Sequence, residues 1–277
     1  MKLKNVNIEP AALLAEVVGT FVLAAVALTI GQPLLVGLTL VVLIFAINSI
    51  SGAHVNPIVT FGLWSIKKVE TIKVPFYWAA QLSGAFFALV AVQLFRGDSL
   101  ALSFASFGQF DARLVVAELL GAAIFTFVIA SVVLRNESES TKAAAIGLAL
   151  MVGLYVGGGL LNQAAQNVDT ASKEAPRVTK VDGVVVNPAI ALAATEKEEQ
   201  ASLQQFTAED KKPEAKTPAS RLTLETIVGG LVGGAIGANL FMVLAGANTK
   251  ASKKTAVTTK VTKVTKAVKK TAKKAKK

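Results

Sequence analysis

Residues 51–65 read SGAHVNPIVTFGLWS, and the second part of this stretch is too apolar for an ordinary loop. The run from Asn56 to Ser65 has ten residues. As a helix it reaches only about 15 Å, half the thickness of a bilayer core. Asparagine is a preferred helix N-cap, and proline is preorganised for the first helical position. The sequence therefore predicts a half-helix that begins at Asn56 and Pro57.

The same pattern recurs later in the chain. Asn187 and Pro188 open a second apolar segment, which runs for nine residues to Thr195 and again is too short to span a membrane. Other short matches occur in the same order in the two halves: AEVVG at 15–19 with AELLG at 117–121, GLTL at 37–40 with GLAL at 147–150, and VNP at 55–57 with VNP at 186–188. Their shared order indicates an internal repeat.

The composition between these motifs is that of a membrane protein. Hydrophobic residues make up 53% of the chain and charged residues only 17%, against about a quarter in soluble domains. Six apolar segments approach the roughly 20 residues that a spanning helix needs. They are Ala11–Ile30, Pro33–Ile50, Val74–Phe95, Leu114–Leu134, Ala143–Leu161 and Leu222–Ala247.

The net charge of +11 comes from one end of the chain. Residues 250–277 hold twelve lysines and no acid, which leaves 17 basic against 18 acidic residues elsewhere. A basic, nucleic-acid-binding body is therefore excluded. The chain has no cysteine and one histidine, His54, so thiolate and histidine-rich metal sites are excluded as well. No nucleophile–base pair or phosphate loop is evident, and we expect neither an enzyme nor a bound cofactor.

These observations predict an all-α membrane protein with six transmembrane helices and two re-entrant half-helices in an inverted repeat. Three spans in each half are an odd number, so the second half inserts upside down relative to the first. Residues 1–248 form the predicted membrane domain, with halves at about 11–95 and 112–247, and residues 249–277 form a lysine-rich tail. Polar insertions at 162–183 and 196–220 have the composition of solvated or partly helical loops.

The two half-helices are predicted to meet N-terminus to N-terminus near the centre of the membrane. A helix N-terminus carries about half a positive charge, so two facing ends repel cations. The amides of Asn56 and Asn187 still donate hydrogen bonds to a passing oxygen. The prediction is a passive channel for water or a small uncharged solute that excludes ions.

These residues resemble the aquaporin and glycerol-facilitator family of major intrinsic proteins. The stretch from 51 to 60 looks like the family's first Asn-Pro-Ala loop, with Ile58 in place of its alanine, and Asn187-Pro188-Ala189 looks like the second. The similarity covers about residues 11–161 and 184–245. The resemblance implies one pore per chain, a homotetramer, and a pore midplane formed by Asn56, Pro57, Asn187, Pro188 and Ala189.

The resemblance also implies an outer constriction, and here the chain departs from the family. The family's arginine after the second Asn-Pro-Ala is replaced by Ile190, and the other three matching positions are Val36, Leu154 and Val184. Such an aliphatic constriction predicts either a wider, less selective opening or slow water flow. Arg177, from the first insertion, is an alternative source of the missing charge.

Other matching residues are interpreted as structural support. Glu16 and Glu118 lie within spans and are predicted to accept hydrogen bonds from the re-entrant loops, with a proton relay as the alternative. His54 is assigned to loop packing, with a pH gate as the alternative. Gly37 and Gly147 are equivalent positions of the repeat and join this supporting group.

The positions of the lysines predict the orientation of the chain in the membrane. Those at 2, 4, 67, 68 and 73 and those of the tail all fall on one side of a six-span topology. The positive-inside rule makes that side the cytoplasm, so we expect a multi-pass plasma-membrane protein with both termini cytoplasmic. The tail has the composition to bind anionic lipid. Two other functions stay open: a secondary transporter built on inverted repeats, and a non-conducting scaffold that acts through its tail or outer loops.

Overall fold

The computed structural model describes residues 8–168, 176–197 and 217–246, and within these ranges the regular structure is helical. The helices are α1 (Pro10–Thr29), α2 (Pro33–Ser51), α3 (Pro57–Ser65), α4 (Lys73–Arg96), α5 (Ala112–Leu134), α6 (Glu139–Gln166), a 3-10 turn at Arg177–Lys180, α7 (Pro188–Ala193) and α8 (Leu224–Gly246). Six of the described helices are long and apolar enough to cross a membrane: α1, α2, α4, α5, α6 and α8. The predicted fold class is confirmed. The lysine-rich tail lies outside the described residues.

The helix ends follow the local sequence, and two of them differ from the prediction. Helix α6 is longer than its apolar run because Ser138 caps it with its side chain and the polar first turn stays helical. Helix α7 is shorter than predicted and ends at Ala193. The next residues leave the helix because Ala194 is extended and Thr195 pairs with Ser220 in an isolated antiparallel bridge.

Glycines set the distances between the spanning helices. A Cβ added at Gly84 of α4 would lie 2.3 Å from the carbonyl oxygen of Val17 on α1, and one at Gly233 of α8 would lie 2.2 Å from that of Leu119 on α5. These two contacts join the first and third spans of each half. Small residues allow such close backbone approach in membranes, where packing holds helices together. The helices therefore pack in the same way in both halves.

Gly37 and Gly147 join the two halves to each other. A Cβ on Gly37 would lie 2.6 Å from the carbonyl oxygen of Gly147, and a Cβ on Gly147 would lie 2.5 Å from that of Gly37. The two glycines thus face one another across α2 and α6. Because each contact is to backbone, which cannot rotate away, any larger residue at either site has to push the helices apart.

The spanning helices expose apolar side chains and bury polar ones, which is the reverse of a soluble domain. Large exposed side chains on the spans are apolar, as at Val42, Phe87 and Val243, whereas Glu16, Gln81 and Glu118 are buried inside the bundle. A surrounding hydrocarbon phase explains both facts, because it solvates apolar side chains and leaves polar groups to pair internally. We call the face where α1 ends and α2 begins the outer face.

Where they are described, the insertions are partly helical, at Arg177–Lys180, as one of the two predicted alternatives had it, and they are more buried than solvated loops. Arg177, Val178 and Glu196 are buried, and parts of both insertions pack against the loop between α4 and α5. One link is the parallel bridge between Ser103 and Ala219. Local composition predicted solvation because each charge was considered alone. In the folded chain the charges pair with residues far away in sequence.

Candidate functional site

The two predicted half-helices meet at their N-termini in the middle of the bundle. The Asn56 side chain accepts a hydrogen bond from the Ile58 N–H at 2.8 Å, and the Asn187 side chain accepts one from the Ala189 N–H at 3.0 Å. Each asparagine thus caps its own helix. From this point α3 runs toward the inner face, since Ser65 at its end contacts Asn239 late in α8. Helix α7 runs toward the outer face, since the carbonyls of its last turn accept from Ser220, just before α8 begins.

Each asparagine is also bonded to the other half of the repeat. The Asn56 Nδ2 donates to the carbonyl oxygen of Val186 at 2.7 Å, and the Asn187 Nδ2 donates to that of Val55 at 3.0 Å. Both asparagines are buried, at 2% exposure. A side-chain amide has two N–H groups, and the cross-link uses one of each. Reciprocal bonds fix the distance and direction of the two helix ends.

The valines that accept these bonds have strained backbones. Val55 has a φ of 43° and Val186 a φ of 50°, in the left-handed region that β-branched residues rarely adopt. The N–H of Val55 donates to Glu16 at 2.7 Å, and the N–H of Val186 donates to Glu118 at 2.8 Å. Each strained peptide is therefore held on both sides, by a carboxylate at its N–H and by the opposite asparagine at its carbonyl.

Glu16 and Glu118 differ in how many further groups they hold. Glu118 also accepts from the Val185 N–H, whereas Glu16 also accepts from the Ser51 hydroxyl, the His54 N–H and the Gln81 amide. Both carboxylates are thus bonded to re-entrant segments. In the first half of the repeat, one carboxylate, that of Glu16, therefore accepts hydrogen bonds from four donors.

The glycine of each Ala-Glu-x-x-Gly motif makes room for the same valine that the glutamate holds. A Cβ on Gly19 would lie 2.5 Å from Val55 Cγ1, and one on Gly121 would lie 2.9 Å from Val186 Cγ2. Glutamate and glycine lie one turn apart on the same face of the helix. The motif therefore holds the re-entrant loop in two ways. Its glutamate accepts hydrogen bonds from the loop backbone, and its glycine leaves space for the valine side chain.

The four predicted constriction residues line one cavity. This outer cavity has a volume of about 720 Å³. Its lining includes Val36, Leu154, Val184 and Ile190, and it extends to Val185 beside the asparagine pair. The resemblance matched these positions by spacing alone, and the structure brings them together. That they select the solute stays a prediction.

A second cavity approaches the asparagine pair from the inner side. It has a volume of about 220 Å³, and its lining includes Ala53 and His54, close to Val55. The His54 ring lies 3.1 Å from the Thr60 hydroxyl and packs near Tyr77. On α2, Val36 lines the outer cavity, whereas Leu40, Ile44 and Asn48 line the inner one, one helical turn apart. A single face of α2 therefore runs along both cavities.

Ile58, which stands where the family has alanine, is accommodated by glycines of α8. Ile58 is fully buried. A Cβ added at Gly230 would lie 2.6 Å from Ile58 Cδ1, and one added at Gly234 would lie 2.6 Å from Ile58 Cγ2. The larger side chain on α3 and the missing side chains on α8 are thus complementary.

This complementarity predicts a rescue. Gly230→Ala should lower the melting temperature of the purified protein, because overpacking costs about 1–3 kcal/mol. Adding Ile58→Ala to that variant should recover part of the loss, since only the isoleucine side chain blocks the new methyl group. Gly159→Ala is the control, because its Cβ would meet no atom within 4 Å. Strictly additive melting shifts for the two substitutions would contradict the proposed packing.

Sequence reasoning missed Arg221 and offered Arg177 only as an alternative source of charge for the constriction. Arg177 does not supply charge to the constriction; its guanidinium is buried between Glu196, at 2.7 Å, and Glu225, at 3.0 Å. Arg221 instead lines the outer cavity. Nothing in the local sequence around Arg221 predicted this position. Within the described ranges, no cluster of three His, Asp or Glu side chains has the arrangement of a metal site.

Comparisons with known proteins support one family. The model of the major intrinsic protein family matches residues 5–168. Aquaporin Z of Photorhabdus laumondii subsp. laumondii is 32% identical over 168 residues, which cover 50% of this chain and 73% of that protein. Nodulin-26 of Glycine max is 33% identical over 124 residues, 44% of this chain and 46% of its own length, so the match spans less than half of this plant relative.

Among solved structures, the aquaglyceroporin from Plasmodium falciparum aligns with 83% of this chain and 93% of its own, with a TM-score of 0.49 and 23% identity. The family match carries the assignment, because it covers more than half of the chain. The members of this family are membrane channels and not enzymes. The chain belongs to the major intrinsic protein family.

Proposed function

We propose that this chain is a passive channel for water or a small uncharged solute. The reciprocal bonds between Asn56, Val186, Asn187 and Val55 support the proposal most directly. They point the N-termini of two half-helices at one place between two cavities. Similar proteins, such as aquaporin Z of Photorhabdus laumondii subsp. laumondii, are named aquaporins, which agrees with this proposal.

Ion exclusion follows from the charges at the centre. Each half-helix contributes about half a positive charge at its N-terminus. The electric fields of the two N-termini add because the ends face each other. The asparagine side chains are neutral, so they add no negative charge where the two ends meet, and the nearby carboxylates of Glu16 and Glu118 are bonded to backbone N–H groups of the re-entrant loops. Each asparagine retains a second amide N–H with which to hydrogen-bond an oxygen of the solute. A neutral molecule therefore meets donors, while a cation meets repulsion.

The predicted constriction within the outer cavity favours small neutral solutes over ions, because all four of its residues are aliphatic: Val36, Leu154, Val184 and Ile190. Such a wall gives a passing ion no substitute for its hydration shell. We propose that this position limits the rate of flow and sets the size of the permeating solute.

Orientation and assembly are part of the same proposal. Lys67 and Lys68 follow α3 and Lys73 begins α4, all at the inner face. The positive-inside rule makes this face cytoplasmic, as for both termini in a six-span topology. We further propose a homotetramer in the plasma membrane, which cross-linking of the protein in its native membrane tests.

Stopped-flow light scattering on proteoliposomes tests the channel proposal. Vesicles that contain the protein should shrink faster than empty vesicles in an impermeant osmolyte, and should reswell faster with urea or glycerol if those solutes pass. Shrinkage at the rate of bare lipid would support a scaffold instead. Uptake of solute against its gradient, driven by an ion gradient, would support a secondary transporter.

A further inference from the structure

Arg221 brings a guanidinium to the wall of the outer cavity from a segment that the constriction prediction did not include. Its side chain is partly exposed and lines the cavity together with Val184 and Ile190. Its Nη2 donates to the carbonyl oxygen of Gly183. Its backbone N–H donates to the carbonyl oxygen of Ala194 at 2.8 Å. The arginine is therefore attached to both ends of the segment that contains α7.

In the ion pairs described near Arg221, carboxylates outnumber cations. Arg177 is a single cation between two carboxylates, Glu196 and Glu225, and all three side chains are buried. Counted over these three described side chains, that cluster has one more carboxylate than cation. Glu118 adds another carboxylate, held by backbone N–H groups and by no cation within the described residues. Arg221 is placed to offset this surplus.

The electrostatic surroundings of Arg221 agree with this charge balance. Partial burial lowers the pKa of the Arg221 guanidinium from its ordinary value, the carboxylates of Glu118, Glu196 and Asp182 raise it, and the cation of Arg177 lowers it. Arginine keeps its proton at neutral pH in proteins. Asp182 and Lys197 also line the cavity and pair with each other at 2.6 Å, so they contribute little net charge.

We propose that Arg221 is a specificity-determining residue that makes the outer cavity reject cations. The inference rests on the proposed passage of solute through that cavity. Without the guanidinium, the surplus carboxylates would give the cavity wall a negative potential and concentrate cations at the entrance. The opposed helix ends act only at the centre, so Arg221 adds a separate barrier where solutes enter.

A single cysteine can test this, because the chain contains no other. Arg221→Cys is reconstituted and compared before and after reaction with a thiosulfonate that adds a trimethylammonium group or, separately, an uncharged methyl group. The probes are urea and guanidinium, which have nearly the same shape and differ in charge. Potassium with valinomycin carries the compensating charge, and water flux measures the number of open pores.

Removing the arginine should raise guanidinium permeability relative to water at least about fivefold, with a smaller change for urea. The cationic adduct should reverse this rise and the uncharged adduct should not. Lys197→Cys is the matched control on the same cavity and should have a smaller effect, because the Asp182 carboxylate it exposes is largely in solvent. Labelled and unlabelled protein share one fold, so the adduct comparison does not depend on the stability of the variant.

The possible outcomes separate this inference from the channel proposal. If the wild-type protein passes water and Arg221→Cys leaves the guanidinium-to-water ratio within twofold, with no response to the cationic adduct, the role of Arg221 is wrong and the channel stands. If Lys197→Cys changes the ratio as much as Arg221→Cys, the rejection is a diffuse surface effect and the assignment also fails. If the wild-type protein passes no water, both proposals fall.

Discussion

Glu16→Ala should abolish water flux and lower the melting temperature of the detergent-solubilised protein by about 10 °C or more. The Glu16 carboxylate is fully buried and accepts four hydrogen bonds, two of them from backbone N–H groups of the first re-entrant loop. Each buried donor left without an acceptor costs about 1–3 kcal/mol. The summed cost is on the order of 4 kcal/mol or more, which gives a melting shift of that size.

The loss should be larger than for the equivalent residue of the second half. Glu118→Ala removes the acceptor of two backbone N–H groups, those of Val185 and Val186, so we expect a smaller melting shift. Glu16→Gln is the conservative control, because an amide keeps one acceptor oxygen and the shape of the side chain. Equal melting temperatures for Glu16→Ala and the wild type would show that the first re-entrant loop does not depend on this carboxylate.

The half-helices were predictable because their signal is local. Asn56 and Pro57, and likewise Asn187 and Pro188, specify a helix start within two residues, and the short apolar run behind each pair limits the length. The repeat then placed them opposite one another. The positive φ of Val55 and of Val186 was not predictable, since nothing in the local sequence favours a left-handed conformation at a valine. It follows from two long-range bonds to each peptide.

The outer side of the molecule was harder to predict, and Arg221 shows why. It is 31 positions after Ile190, beyond an insertion, and no periodic pattern connects the two. The ion pair between Arg177 and Glu225 joins residues 48 apart, and composition over a short window cannot detect such a pair. Loops dense in both charges therefore look solvated in sequence even where folding buries them. Distant polar contacts were predicted only where the family resemblance supplied them, as for Glu16 and Glu118 with the re-entrant loops, and not where charges of the insertions pair.

Asn187→Asp should turn an ion-excluding pore into one that leaks cations, while water flux stays within a few-fold of the wild type. Aspartate is as good an N-cap as asparagine, so α7 should still form. The substitution loses the donor to the Val55 carbonyl and places a carboxylate where two positive helix ends meet. A negative charge there offsets the field that repels cations, so potassium or proton leak should rise about tenfold or more.

Asn56→Asp should give a similar leak, because Asn56 holds the equivalent position and bonds Val186 as Asn187 bonds Val55. Asn167→Asp, at the exposed C-cap of α6, is the control for the same chemical change away from the centre. Acidification should close the leak in both central variants, since protonation removes the carboxylate charge. Leak and water flux are measured on the same vesicles, with a pH-sensitive dye and by light scattering. A central variant that still passes water but excludes cations at every pH would refute ion exclusion by neutral asparagines between opposed helix ends, because the added charge would then lie outside the path.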